Sequence, residues 1–389
     1  MFSSTNIFQY FAIGRLIEDY FPRVLGPSFP ILLMLGIVGL IRGASMVLFT
    51  ILGGVLADRY DRRNLALVTQ CVAVTLVGLF AVLMALGSIQ LWQVFLLLFA
   101  TSASQMFDLP ARQALLPQLV EPREITNAVA LFMAAMQTSL TYSAFLAGYS
   151  LDTLGISGTY AISGLGHISL LLALLFMRPR GRPASSSQLG MLPQVREGFR
   201  YARHNHTILG ILIIASIVSA LGMATIANLT PYWMLRVLEV SPTTWGLTAT
   251  MWGIGSLATA YTLSALRDAG RSGRLFLGSA LLFALMLLVW GLTRSVLVVC
   301  AVQLVMGGSA SAFTISGAAI IQSLAPDELR GRLMSLFGLN QALSMINGIT
   351  VGGFAQAVGA TTAWPLIGIV LTSLVVCGII ALPRLRQVH

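Results

Sequence analysis

Long apolar runs alternate with short polar breaks along the whole chain. Each run is close to the ~20 residues that carry a helix across the hydrocarbon core of a bilayer. The pattern predicts helices over Phe29–Ala57, Asn64–Leu86, Ile89–Asp108, Asn127–Leu151, Ser157–Met177, Ile208–Leu235, Thr244–Leu266, Leu275–Leu292, Val296–Leu324, Leu333–Phe354 and Thr361–Leu382. These eleven clear runs are numbered spans 2 to 12, because the arginine pattern leaves room for one more span before Phe29. Asn6–Gly26 is the only candidate for it. That stretch carries Arg15, Glu18, Asp19 and Arg23, and a charge at the centre of a spanning helix costs roughly 2.5–3.5 kcal/mol. It is read either as a short, irregular first span or as a helix lying at the interface. It has no clean apolar core of the kind a cleavable secretory signal carries.

Composition turns this pattern into a class. Of 389 residues, 57% are hydrophobic and 9% charged, with a mean hydropathy of +0.86; soluble domains are nearer 45–50% apolar and about 25% charged. The chain is therefore an all-α integral membrane protein. All 23 basic residues are arginine. Without lysine there is no Walker A loop, so no ATP-binding cassette is fused to the chain. The net charge of +10 reflects inner loops rather than a nucleic-acid partner, because arginine accumulates on the cytoplasmic side of membrane proteins. With the Asp58–Arg63 loop inside and spans alternating, 18 of the 23 arginines fall on the inner side. The expectation is a multi-pass protein of the bacterial inner membrane with a cytoplasmic C-terminus. Cys71, Cys300 and Cys377 lie scattered in apolar runs, which is neither a disulfide framework nor a metal site. No cofactor, metal or catalytic residue is expected, since no nucleophile stands with a base.

The longest polar interruption divides the chain. Residues 1–177 form an expected N-terminal helical bundle, 178–207 a cytoplasmic linker, and 208–389 a C-terminal bundle. Within the linker, Leu192, Val195, Phe199 and Ala202 share one helical face and Arg196, Arg200 and Arg203 the other. That spacing predicts an amphipathic helix on the membrane surface. The halves also echo each other. A shift of 204 residues superposes Gln118 on Gln322, Pro122 on Pro326 and Glu124 on Glu328, each pair lying between the fourth and fifth span of its half. Parallel repeats of this kind build two-bundle transporters, here two pseudo-symmetric six-helix bundles with a degenerate first span.

The stretch Gly53–Arg63, "GGVLADRYDRR", resembles the loop 2–3 signature of the major facilitator superfamily, with Gly54, Leu56, Asp58, Arg59, Arg62 and Arg63 on its pattern and Asp61 where glycine is usual. "DLPARQALLPQLV" from Asp108 and "PDELRGRLMSL" from Pro326 resemble the branch holding enterobactin exporters and macrolide-efflux proteins. The resemblance runs from about residue 30 to the C-terminus. It implies a gating latch of Gly54, Asp58, Arg59, Arg62, Arg63 and Asp108, in which Arg62 bridges Asp58 to Asp108. It also implies a central cavity lined by spans 1, 4, 7 and 10. From these and neighbouring spans the substrate-binding candidates are Arg42, Gln93, Gln105, Asn228, Trp252 and Gln303. Arg42 is an intramembrane charge, and the amides each need a partner when buried. Trp92 and Trp233 fit either an aromatic cavity or an interfacial belt. In span 5, Ser143 and Ala144 stand where superfamily antiporters often carry a Gly-Pro kink.

The expected function is export of a small amphipathic molecule (a drug, antibiotic or siderophore) by a rocking-bundle monomer, with protons as the coupling ion implied by the resemblance. The alternatives are an uptake permease of the same fold and a transporter-derived protein that no longer transports. Glu18 and Asp19 are the only acids away from the span ends that could couple protons. The latch makes one direct prediction. Asp58→Asn sharply reduces transport while membrane insertion, read by immunoblot of isolated membranes, is unchanged; unimpaired transport would remove the latch.

Overall fold

The computed structural model describes residues 2–26, 28–59, 62–177, 191–266 and 273–387. Among these residues every regular element is helical, as a chain in lipid requires when its backbone N–H and C=O groups have no water to bond. Eight described helices are long and apolar enough to cross a membrane. In that set spans 5 and 6 count as one helix, and the expected spans 8 and 11 are absent.

Helix α1 (Phe2–Arg15) passes through a π-helical turn, Leu16–Tyr20, into α2 (Phe21–Leu25). Then come α3 (Ile31–Arg59), α4 (Arg62–Ala85) and α5 (Leu91–Leu119). Spans 5 and 6 are two helices that meet directly at Gly155 (φ 68°, ψ −169°), labelled together as α6 (Ile125–Phe176). A residue with a side chain is disfavoured at that φ, which is why a lone glycine can replace a loop. Ser143 and Ala144 do not kink the helix. The Ser143 hydroxyl donates to the Ser139 carbonyl of the preceding turn and the helix continues.

The polar linker yields α7 (Met191–His204), followed by α8 (His206–Ile217), a π-helical turn Val218–Met223, α9 (Ala224–Tyr232) and a second π turn Trp233–Val237. The remainder is α10 (Pro242–Ala265), α11 (Gly273–Leu292), α12 (Val296–Leu324), α13 (Asp327–Ile346), α14 (Gly348–Val358) and α15 (Ala360–Ala381). Span 11 is therefore broken at Asn347. Its side-chain amide donates to the Ala220 carbonyl, within the first π turn. A π turn disturbs the regular i→i−4 ladder, and Asn347 supplies the partner. The 204-residue shift carries the α1 π turn, Leu16–Tyr20, onto 220–224, overlapping the turn at Val218–Met223.

The chain forms two compact units. One contains residues 1–29, 44–190 and 241–246. In it α1 packs along α6 and buries Phe11, Ala12, Leu16, Ile17 and Phe21. Phe11 stacks on Trp245 with ring centroids 3.9 Å apart. The charges of the segment are handled locally, since Asp19 pairs with Arg15 at 2.6 Å and with Arg23 at 3.8 Å. Residues 2–25 are thus a helical element of this unit, and three of its four charges pair within it. Phe80 stacks on Tyr160 where α4 meets α6.

The other unit contains residues 30–43, 191–240 and 247–389. Its core holds Trp233, Trp290 and Trp364, all with no exposed surface. The Trp364 ring lies 4.9 Å from Trp233 and 5.0 Å from Trp290, and the Arg294 guanidinium sits over Trp233. Trp233 is therefore a core residue, while Trp92 is 59% exposed. In this unit α3 approaches α9 and α14 through glycines. A Cβ at Gly348 would meet the Asn228 Oδ1 at 2.5 Å, and one at Gly36 would meet the Gly348 carbonyl oxygen at 2.5 Å. Gly348→Val is expected to cost about 1–3 kcal/mol by overpacking and to lower the thermal midpoint in detergent. Adding Asn228→Ala should recover part of that loss; no change with Gly348→Val would show the notch to be loose.

Candidate transport site

The first unit holds a buried polar chain that crosses three helices. Asp108 on α5 has 1% of its surface exposed, Gln70 on α4 none and His167 on α6 1%. The Arg112 Nε, one turn along α5, lies 2.7 Å from the Asp108 Oδ2. The Gln70 Nε2 donates to the Asp108 Oδ1 at 2.6 Å. The His167 Nδ1 lies 3.0 Å from the Gln70 Oε1. Because an amide oxygen only accepts, Nδ1 is the protonated nitrogen in this arrangement. Every hydrogen bond therefore points toward one carboxylate. Beside the chain, the Ser104 hydroxyl donates to the Thr69 carbonyl at 2.9 Å, and Ala66, Ala111, Leu115 and Leu174 form an apolar cluster. An isolated charge buried in low dielectric is costly, and a pair with further hydrogen bonds is the arrangement that tolerates it.

The expected site residues fall as follows. Asp108 is engaged by Arg112 and Gln70. Arg63 donates from Nε to the Leu174 carbonyl at 3.2 Å and from Nη2 to the Leu175 carbonyl at 2.8 Å. It caps the last turn of α6, where orphan carbonyls and the helix dipole favour a cation. Gly54, Asp58, Arg59 and Arg62 lie on helical backbone, but their side chains are outside the described residues, as is all of Asp61. Gln93 is committed to its own helix, where its Oε1 accepts the Gln90 N–H at 2.8 Å in a capping box. Gln105 is half-buried on α5. Glu18, within the α1 π turn, is fully buried, and Gln9 one face along α1 is 3% exposed.

The second unit holds the others. Arg42 is half-buried on α3. Asn228 donates from Nδ2 to the Ala224 carbonyl at 2.7 Å while its oxygen fills the glycine notch. Gln303 donates to the Thr248 hydroxyl at 3.3 Å. The Trp252 ring meets Phe283 edge to face, with centroids 6.2 Å apart. The Ser216 hydroxyl donates to the Asn340 Oδ1 at 3.0 Å. The buried partners Gln70 and Arg112 were not among the site residues read from the sequence. The Asp108–Arg112 spacing of four, which places both on one helix face, was the available signal.

Apolar helices long enough to span a bilayer, with buried charges and amides held among them, define a multi-helix membrane protein. The sequence profile of the transmembrane secretion effector family matches residues 32–389, and the chain belongs to that family, within the major facilitator superfamily. It is 22% identical over 343 residues to macrolide efflux protein A of Streptococcus pyogenes, covering 86% of this chain and 83% of that one. It is 22% identical over 348 residues to the enterobactin exporter EntS of Escherichia coli O139:H28, covering 85% and 80%. Its fold matches the nucleoside transporter NupG with a TM-score of 0.72 at 14% identity, covering 100% of this chain and 98% of that one. A peptide-bound POT family transporter matches with a TM-score of 0.75 at 13% identity, covering 98% and 94%.

The buried ion pair gives a test. Arg112→Ala leaves the Asp108 charge uncompensated and is expected to destabilise by about 3–5 kcal/mol, seen as a large fall in thermal midpoint. Asp108→Asn combined with Arg112→Gln should recover most of it. A double variant as unstable as the single one would mean that the charges are not coupled.

Proposed function

We propose that the protein exports a small amphipathic molecule from the bacterial cytoplasm by alternating access, coupled to proton entry. The observation that carries this reading is the family match over residues 32–389, together with relatives of similar length named as exporters of a macrolide and of enterobactin. In this reading residues 1–177 and 208–389 are two six-span bundles joined by 178–207, with a degenerate first span and the C-terminus in the cytoplasm. Asp58, Arg59 and Arg62 form the latch at the inner end, and the Arg112–Asp108–Gln70–His167 chain holds that end of α4, α5 and α6 together. Arg42, Asn228, Trp252 and Gln303 face the substrate path at some stage of the cycle. Glu18 is the coupling carboxylate: it is the fully buried acid of the first helix, and a buried acid within a membrane segment marks a functional site by default.

The test is accumulation of a panel of macrolides, cationic dyes and catecholate siderophores in cells with and without the protein. Expression should lower accumulation of at least one compound, and an uncoupler should abolish the difference. Glu18→Gln should abolish extrusion against a gradient while downhill movement persists. No difference for any compound would overturn export, and an unaffected Glu18→Gln would overturn the coupling role.

A further inference from the structure

We propose that the joint between α7 and α8 binds the phosphate headgroup of an anionic phospholipid. A cleft of about 320 Å³ lies there, lined by Tyr201, His204, Asn205, His206 and Thr207. The helices are separated by the single extended residue Asn205. Its side-chain oxygen accepts the N–H groups of Thr207 and Ile208 at 3.1 and 3.2 Å. The first amides of α8 are therefore already used. Side chains are left to recognise a ligand: the Tyr201 and Thr207 hydroxyls and two imidazoles. The His204 Nδ1 is held by the Arg200 carbonyl at 2.7 Å, which leaves Nε2 as the nitrogen for a ligand.

The exposed charges of α7 beside the cleft are those of arginines. Arg200 and Arg203 are exposed on α7 within a turn of His204. The only acid between residues 191 and 217 is Glu197, and its carboxylate is 2.6 Å from the Arg332 guanidinium of α13. That pair also fixes the direction of α7. Gly198 lies against Arg332 and Leu336, where a Cβ would stand 3.3 Å from the Arg332 carbonyl oxygen, and Ala202 is fully buried. With that face held by α13, the arginines are turned away from the protein. Guanidinium groups bind phosphate oxygens with charge-assisted, often bidentate hydrogen bonds, and basic groups beside a membrane attract anionic lipid.

The surroundings select a lipid over a free anion. From Ile208 to Ala215 α8 is wholly apolar, so the cleft sits at the boundary between polar and hydrocarbon environments. Phe199 and Ile213 are 57% and 48% exposed. Positions 206, 209 and 213 fall on one helical face, a path for an acyl chain below a headgroup held at His206. The site thus ties the surface helix of the linker to one lipid class.

The experiment uses the full chain purified in mild detergent. Native mass spectrometry should show retained phosphatidylglycerol but not phosphatidylcholine, and millimolar inorganic phosphate should not displace it. Arg200→Gln, Arg203→Gln and His206→Ala together should cut that retention at least about tenfold at an unchanged thermal midpoint. If this variant does not fold, hydrogen exchange on the wild-type protein decides: phosphatidylglycerol added to delipidated protein should protect residues 199–209, and phosphatidylcholine should not. Equal retention of both lipids, undiminished binding by the folded variant, displacement by phosphate, or no protection at the joint would each overturn the proposal. Because no transport is measured, the result stands apart from the identity of the exported molecule.

Discussion

A polar group inside hydrocarbon must find its partner within the protein, and most of this structure follows from that requirement. The backbone meets it by remaining helical. The side chains meet it in two ways. Serines and threonines bond back to carbonyls three or four residues earlier on their own helix, as Thr225 does to Leu221, Thr314 to Ala310 and Ser316 to Ala312. Hydroxyls bonded in that way fix no tertiary contact, whereas Ser104 and Ser216 reach to another helix. Some amides and charges are also satisfied locally, as Gln93 and Asn228 are, but several reach across and tie one helix to another. Gln70, Asp108, Arg112 and His167 bind α4, α5 and α6. Asn347 binds the break before α14 to the first π turn, and Gln303 binds α12 to α10.

These ties differ in how they would respond to movement. The Arg112–Asp108 pair lies within one helix and can travel with it. The Gln70 and His167 bonds run between helices and must be re-formed or broken if those helices slide. Gln70 is the pivot, because its amide donates on one side and accepts on the other. A rotation of that amide would reverse both bonds at once and leave the Asp108 carboxylate facing an oxygen. The chain therefore has one sense and braces α4, α5 and α6 against one another.

How much of this could be read from the sequence depends on whether the signal was local. The positions of α11, α12 and α15 were legible because about twenty apolar residues in lipid have few alternatives to a helix. The helix α7 was legible from its two faces. The family showed in a charged hairpin, "GGVLADRYDRR", whose spacing is local. The packing of residues 2–25 was not legible, because hydropathy counts four charges without seeing that Asp19 lies within one turn of both Arg15 and Arg23. The break in span 11 was hidden because it depends on Ala220, more than a hundred residues away. Gln93 read as a substrate ligand because an amide in a membrane helix draws attention, yet its partner is the backbone three residues earlier. Trp233 read equally as a cavity wall or an interfacial anchor, yet its partners Trp290, Trp364 and Arg294 come from other segments and place it in a core.

Gly155 has a practical consequence. Where most membrane proteins join successive spans with a loop, α6 reverses at a single residue with its neighbours 152–155 exposed. There is almost no chain there for a protease to grip, an antibody to recognise or an inserted tag to occupy without displacing the helix on either side. Probes of which face of the membrane is which belong instead at the turn marked by Gly87, where residues 86–90 separate α4 from α5.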